Sequence, residues 1–262
     1  MPDRGATPRA LRFAAPTIAA ALALLAWEGA VRLFDIPPYL LPGPWLVLRT
    51  LVENFGSLLP SWWFTVKITF AALGLAVLGG AALALLFALS RTLELGLFPF
   101  AVVLQVTPVV AVAPLVLILV DNATATVLIC AWIVAFFPIL SNTAIGLRSA
   151  DTNLRDLFRL YGASRWQTLR HLLVPSALPY FMAGLRVAGG LSLIGAVVAE
   201  FTAGAAGRET GLASRILEAS FRTEIPKMFA ALVLVSLTGV AIYALMNLLA
   251  HLVLRRWHES QR

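Results

Sequence analysis

Apolar residues fall in six long blocks, 13–34, 62–89, 97–120, 124–147, 179–203 and 229–254, separated by stretches that hold most of the charge. A helix needs about 20 apolar residues to cross ~30 Å of hydrocarbon. The blocks reach that length and lack the alternation of a barrel strand. Backbone groups in lipid must pair internally, so these blocks predict six transmembrane helices. The reading is an all-α integral membrane protein, with a transmembrane domain over 13–254 between short tails, 1–12 and 255–262.

Patterns within the blocks predict how they pack. Ala72, Ala76, Gly80, Ala84 and Ala88 recur every four residues in the second block, as do Gly184, Ala188, Ser192 and Ala196 in the fifth. Such ridges let helix backbones approach closely. Chance rows in Ala-rich helices are the competing reading. The third block holds Pro108 and Pro114, with Pro99 near its start. Each proline removes a helical hydrogen bond, and freed carbonyls at membrane depth need protein or water. Gln105, Thr107 and Pro108 are therefore expected along a polar pathway, joined by Ser192 if its ridge edges the cavity. A packed kink is the alternative. Glu28 and Arg32 have the i, i+4 spacing of a helical ion pair. Lys67 and Arg186 lie close enough to block ends to snorkel.

Between the fourth and fifth blocks, residues 148–178 carry a different pattern. Leu154, Leu157, Phe158 and Tyr161 share one helix face, with Arg155, Asp156 and Arg159 off it. Gly162 suits a helix C′ position, Ser164 and Gln167 suit a capping box, and the second short helix is expected to stop before Pro175. A partner's groove and the bilayer surface are both open to such a hairpin. In the segment between the fifth and sixth blocks, Leu212, Ile216, Leu217 and Phe221 are also helically spaced, among Arg208, Arg215, Glu218, Arg222 and Glu224.

The charge gives an orientation. Arg4, Arg9, Arg12, Arg91, Arg148, Arg155, Arg159, Arg165, Arg170, Arg255, Arg256 and Arg262 lie on one side. Only Arg49, Arg208, Arg215, Arg222 and Lys227 lie on the other. Basic residues concentrate in cytoplasmic loops, so both termini and the 148–178 loop are expected inside. The net charge of +7 reflects this bias rather than nucleic-acid binding. The first block has the basic start and Ala-rich run of a signal peptide, but it continues through Trp27 to Phe34 and is read as a membrane helix. With 60% hydrophobic and 13% charged residues, a water-soluble domain is excluded. Cys130 is the only cysteine, and His171, His251 and His258 lie far apart, so no metal site is indicated. Neither an inverted repeat nor intramembrane acidic residues suited to a stand-alone secondary transporter are legible. Gly190 and Ser192 resemble a serine-protease fragment only faintly, with no glycine at 194. Lys67 and Lys227, the only lysines, follow Val66 and Pro226, so no P-loop is present.

The 148–178 loop resembles the signature of binding-protein-dependent ABC importer permeases: Glu-Ala-Ala, three residues, Gly, nine residues, Ile-x-Leu-Pro. Asp156, Leu157 and Phe158 stand at its start, Gly162 follows at the right spacing, and Leu172, Leu173, Val174 and Pro175 close it. Leu157 and Phe158 depart most from the pattern. Residues 35–44 (DIPPYLLPGP), 107–115 (TPVVAVAPL), 160–167 (LYGASRWQ) and 184–188 (GLRVA) resemble the sulfonate, taurine and nitrate branch, while LVDNA at 119–123 departs from its usual Phe-Gly-type ending.

The resemblance implies a type I ABC importer permease bundle in a bacterial inner membrane. In such a bundle Asp156, Leu157, Phe158, Gly162, Ala163, Ser164, Arg165, Leu172 and Pro175 form an ATPase-coupling loop. It further implies two ATPase subunits that use ATP and Mg, no cofactor on this chain, a second permease copy, and an extracytoplasmic substrate-binding protein. The solute would be a sulfonate, taurine, nitrate, or a pyrimidine- or riboflavin-type vitamin precursor.

Overall fold

The computed structural model describes residues 9–203 and 210–255. Residues 1–8, Arg208 and residues 256–262 of the expected tails and outer loop lie outside the described residues. Ten α-helices and one π turn occur among the described residues: α1 (Arg9–Leu33), α2 (Pro44–Leu89), α3 (Arg91–Val106), α4 (Val109–Val120), α5 (Ala123–Arg148), α6 (Thr152–Leu160), α7 (Arg165–Thr168), the π turn Leu169–Leu173, α8 (Val174–Ala203), α9 (Leu212–Phe221) and α10 (Ile225–Leu254).

Five of these helices are long and apolar enough to cross a membrane, α8 being counted with the α7 and π segment that leads into it. The third block is not one straight helix. It breaks at Thr107 and Pro108 into α3 and α4, which meet at 104°. Pro99 and Pro114 are absorbed inside α3 and α4, so of the three prolines only Pro108 marks the break. The pair still crosses. Arg148, the last residue of α5, is ion-paired with Glu94 in the first turn of α3, so these two ends share one face. At 1.5 Å per residue α5 is about 39 Å long, which puts its start, two residues beyond α4, at the opposite face. Six crossings result.

The core is built on α5, gripped between α2 and α8. A Cβ added to Gly184 would meet the Pro138 carbonyl oxygen at 2.8 Å, and one on Gly195 would meet Ala131 Cα at 2.9 Å. One on Gly146 would meet Ala177 Cα and Tyr180 Cβ at 2.8 Å, and one on Gly80 would meet Ile139 Cβ at 3.0 Å. Both expected ridges lie in these contacts: Ala72, Ala76, Gly80 and Ala84 on α2, and Gly184, Ala188, Ser192 and Ala196 on α8, are all buried. Close backbone contact replaces the hydrophobic drive that lipid does not supply. Ala88, the last member of the α2 ridge, is exposed, because α2 ends one residue later where the hairpin cleft opens.

α2 begins 18 residues before the expected span at Trp62 and has 46 residues. Pro44 occupies the first turn, where no N–H is needed, after Gly43. Val47, Leu51 and Leu58 then bury one face against Leu212 of α9 and Ala230, Ala231 and Leu234 of α10. The opposite face carries Arg49 and Glu53, paired at 2.7 Å. By contrast α1 is largely exposed; its Glu28–Arg32 pair forms at 2.6 Å, and its Trp27 ring lies 6.1 Å from Phe229.

Candidate functional site

The 148–178 segment folds as the hairpin α6–α7 and hangs from the end of α5. Asp151 caps α6 by accepting the Asn153 N–H at 2.7 Å. Arg155 reaches back to the Leu147 carbonyl at 2.9 Å, placing a cation on the negative C-terminal end of α5. Asp156 and Arg159 lie 3.8 Å apart, a loose and exposed pair.

Gly162 closes α6 with φ +67°. The Ala163 N–H donates to the Phe158 carbonyl at 2.9 Å and the Gly162 N–H to Arg159 at 3.0 Å. This pair of bonds is the Schellman end that glycine favours. Ser164 then opens α7 with a complete capping box: Gln167 N–H donates to Ser164 Oγ at 3.2 Å, and Ser164 N–H donates to Gln167 Oε1 at 2.7 Å.

The second helix does not stop before Pro175. α7 widens into the π turn, closed by Val174 N–H on the Leu169 carbonyl, and runs straight into α8. Pro175 follows closely on that turn, in the first turn of α8, and the helix runs on through it. α7, the π turn and the long membrane helix α8 are therefore one continuous helix.

The face α6 presents is uncovered. None of its residues is buried, and Leu154 and Leu157 are 46% and 45% exposed, with Tyr161 at 82%. Asp156, Gly162, Ser164 and Arg165 are exposed too; Phe158, Ala163 and Pro175 are half-buried. Leu172 is buried and does not face outward, and its neighbour Leu169 packs into the core of the bundle. Between the hairpin and the α2–α3 junction lies a cleft of about 1010 Å³. Arg91, Arg155, Arg159 and Arg165 line it, with Asp156 as its acidic member.

The expected pathway residues separate. Gln105 and Pro108 are exposed at the α3–α4 elbow. Thr107 is half-buried, its hydroxyl donating to the Val103 carbonyl at 2.6 Å. Ser192 is fully buried and donates to the Gly189 carbonyl at 2.9 Å, so it belongs to the helix packing and not to an open face.

Two buried acids escape the sequence pattern. Glu94, 8% exposed, is held by Arg91 and Arg148. Glu200, in the fifth apolar block, is 1% exposed. It is one capped carboxylate, not a relay of several. Its partners sit at Thr65 and Ala213, so no local pattern marks it. Between the fifth and sixth blocks, α9 carries Glu218 between Arg215 and Arg222, both at 2.8 Å. The hydrogen bond from Arg215 holds the Glu218 carboxyl below its ordinary value.

Known proteins are similar to this chain in sequence and in fold. The chain is 35% identical to a riboflavin transport system permease protein of Chloroflexus aurantiacus, over 91% of this chain and 88% of that one. It is 33% identical to a formylaminopyrimidine transport permease protein of Halalkalibacterium halodurans, over 94% and 96%. A crystal structure of an amino acid ABC transporter superposes with a TM-score of 0.62 at 18% identity, covering 76% of this chain and 95% of that one, which shows the common fold. Residues 76–258 match the family described as the binding-protein-dependent transport system inner membrane component. From the α2 ridge through the hairpin to α10, this chain belongs to that family, and it is a multi-pass permease subunit of an ABC importer.

Proposed function

We propose that the α6–α7 hairpin lies in the cytoplasm and is the surface on which a separate ATP-hydrolysing subunit acts. One observation carries this reading: α6 holds Leu154, Leu157 and Tyr161 on a single uncovered face, on a helix with no buried residue. An apolar helix face of this size fits a partner's groove. Loose helices on the bilayer would not need the Schellman end, the capping box and the Arg155 anchor that hold this hairpin against α5. Asp156, Leu157, Phe158, Gly162, Ala163, Ser164 and Arg165 form the docking element, and Pro175 and Leu172 join it to α8. The chain has no P-loop, so the partner uses the ATP and Mg. Two such partners serve two copies of this permease.

The remaining assignments follow from that orientation. Both termini are cytoplasmic. The α9 segment is extracytoplasmic and meets a substrate-binding protein. Gln105, Thr107 and Pro108, at the 104° elbow, border the solute path. The solute is a nitrogen heterocycle, as are the riboflavin and formylaminopyrimidine named for two permeases that share about a third of this sequence.

Gly162→Val tests the docking reading. A left-handed residue costs about 1–2 kcal/mol once it carries a Cβ, and a branched one more. Nothing lies within 4 Å of the added carbon, so the effect is on the turn and not on packing. The variant will insert normally, and copurified ATPase subunit will fall roughly tenfold, by the factor that 1.4 kcal/mol represents. Gly162→Asn, which tolerates this conformation, will lose less. Equal ATPase recovery with valine would show that the turn does not set the docking geometry.

A further inference from the structure

α9 lacks an N-cap of its own, because Gly211 offers no side chain to its first turn. Buried N–H groups left unpaired are costly, and here the cap comes from two other helices. The Leu212 N–H donates to Thr65 Oγ1 on α2 at 2.9 Å. The Ala213 N–H donates to Glu200 Oε2 on α8 at 3.0 Å. Thr65 Oγ1 lies 2.8 Å from Glu200 Oε1 and 3.2 Å from the Ser61 carbonyl. One turn along, Arg215 Nε donates to Ser61 Oγ at 2.9 Å. Ser61, Thr65, Glu200, Leu212 and Ala213 are all at most 1% exposed. A Cβ on Gly211 would fall onto the Glu200 carboxylate, so glycine is what lets the acid reach the helix end.

We propose that Glu200 and Thr65 form a polar clasp that positions α9, and that Glu200 is a positioning residue for transport. The functional part rests on the reading of α9 as the segment that meets the binding protein. The clasp closes only while α2 and α8 stay together at this level, because each supplies one half of the cap. Parting those helices strips two N–H partners from α9, and a force on α9 reaches both helices at once.

Side-chain chemistry separates a clasp from simple packing. Glutamine at 200 keeps both contacts: its carbonyl accepts the Ala213 N–H, its amide donates to Thr65 Oγ1, and the Thr65 hydroxyl turns to the Ser61 carbonyl. Alanine at 200 leaves the Ala213 N–H unpaired, and Thr65→Val removes the Leu212 acceptor.

The test uses the full transporter, permease with its ATPase subunits in nanodiscs, carrying a spin label at Ser220→Cys in a Cys130→Ala background. Glu200→Ala and Thr65→Val will mobilise the label, and Glu200→Gln will return it to parental mobility. The binding-protein concentration that half-saturates stimulated ATP hydrolysis will rise roughly tenfold in Glu200→Ala, and Glu200→Gln will rescue it. The rate at saturation will change less. If Glu200→Ala does not assemble, Thr65→Val, which removes one hydroxyl, gives the same readings. A label as immobile in both variants as in the parent would overturn the clasp, as would alanine and glutamine behaving alike. A mobile label with an unshifted half-saturating concentration supports the clasp and overturns only the reading of α9 as the binding-protein surface.

Discussion

Leucine in place of Gly184 will leave almost no assembled permease in the membrane. Gly184 faces α5, and even a Cβ there would stand 2.8 Å from the Pro138 carbonyl oxygen and 2.9 Å from Asn142 Cβ. The first of these is backbone of the central helix and cannot turn aside. Overpacking a core costs about 1–3 kcal/mol where side chains can yield, and more where backbone must move. The contact between α5 and α8 also continues at Gly195 and Gly146, so forcing these helices apart opens the whole seam. Monodisperse protein recovered by size-exclusion chromatography will fall at least roughly tenfold. Gly190 is the internal control: it sits on the same helix, and nothing lies within 4 Å of an added Cβ. Gly190→Ala will leave recovery unchanged, and a Gly184→Leu protein recovered at parental yield would refute the packing.

Glutamate in place of Leu157 will uncouple the permease while leaving it folded. Leu157 is 45% exposed and belongs to none of the buried clusters, so the isolated chain loses little. In the proposed docked complex the same position would lie in an apolar contact. Removing a leucine from such a contact costs about 1.5–3 kcal/mol, and burying an unpaired carboxylate adds to that. ATPase association will weaken roughly a hundredfold, the equivalent of about 2.7 kcal/mol. Arg159→Ala, an exposed side chain only 3.8 Å from its partner, will change association far less. Equal losses from the two substitutions would point to a general electrostatic contact and not to an apolar docking face.

What the sequence makes legible is what neighbours along the chain decide. Gly162, Ser164 and Gln167 announce their turn and cap because both depend on residues within one helical turn. The small ridges of α2 and α8 are legible for the same reason, being periodic. Where contacts come from distant residues, the pattern is silent. Glu200 lies three residues from the end of α8, and only Thr65 and Ala213 make it a buried cap. Prolines mislead in both directions. Pro44 and Pro60 hide the early turns of α2, although Val47, Leu51 and Leu58 already mark a buried face. Pro175 looks like a stop, yet the helix runs on through it after the π turn. Ser192 shows the limit of composition: its hydroxyl suggested a polar pathway, but its position on the ridge buries it, and its own helix satisfies it.

In the proposed complex this hairpin, on the cytoplasmic side, docks the ATP-hydrolysing subunit. The most direct measurement is photo-crosslinking in membranes that coexpress the ATPase subunit, with p-benzoylphenylalanine in place of Tyr161, and, for comparison, in place of Trp45 at the other end of the bundle. Both side chains are exposed, at 82% and 68%, so neither substitution disturbs the core. Docking at the hairpin predicts an adduct between permease and ATPase subunit from position 161 and none from position 45. An ATPase adduct from position 45 and none from 161 would contradict it.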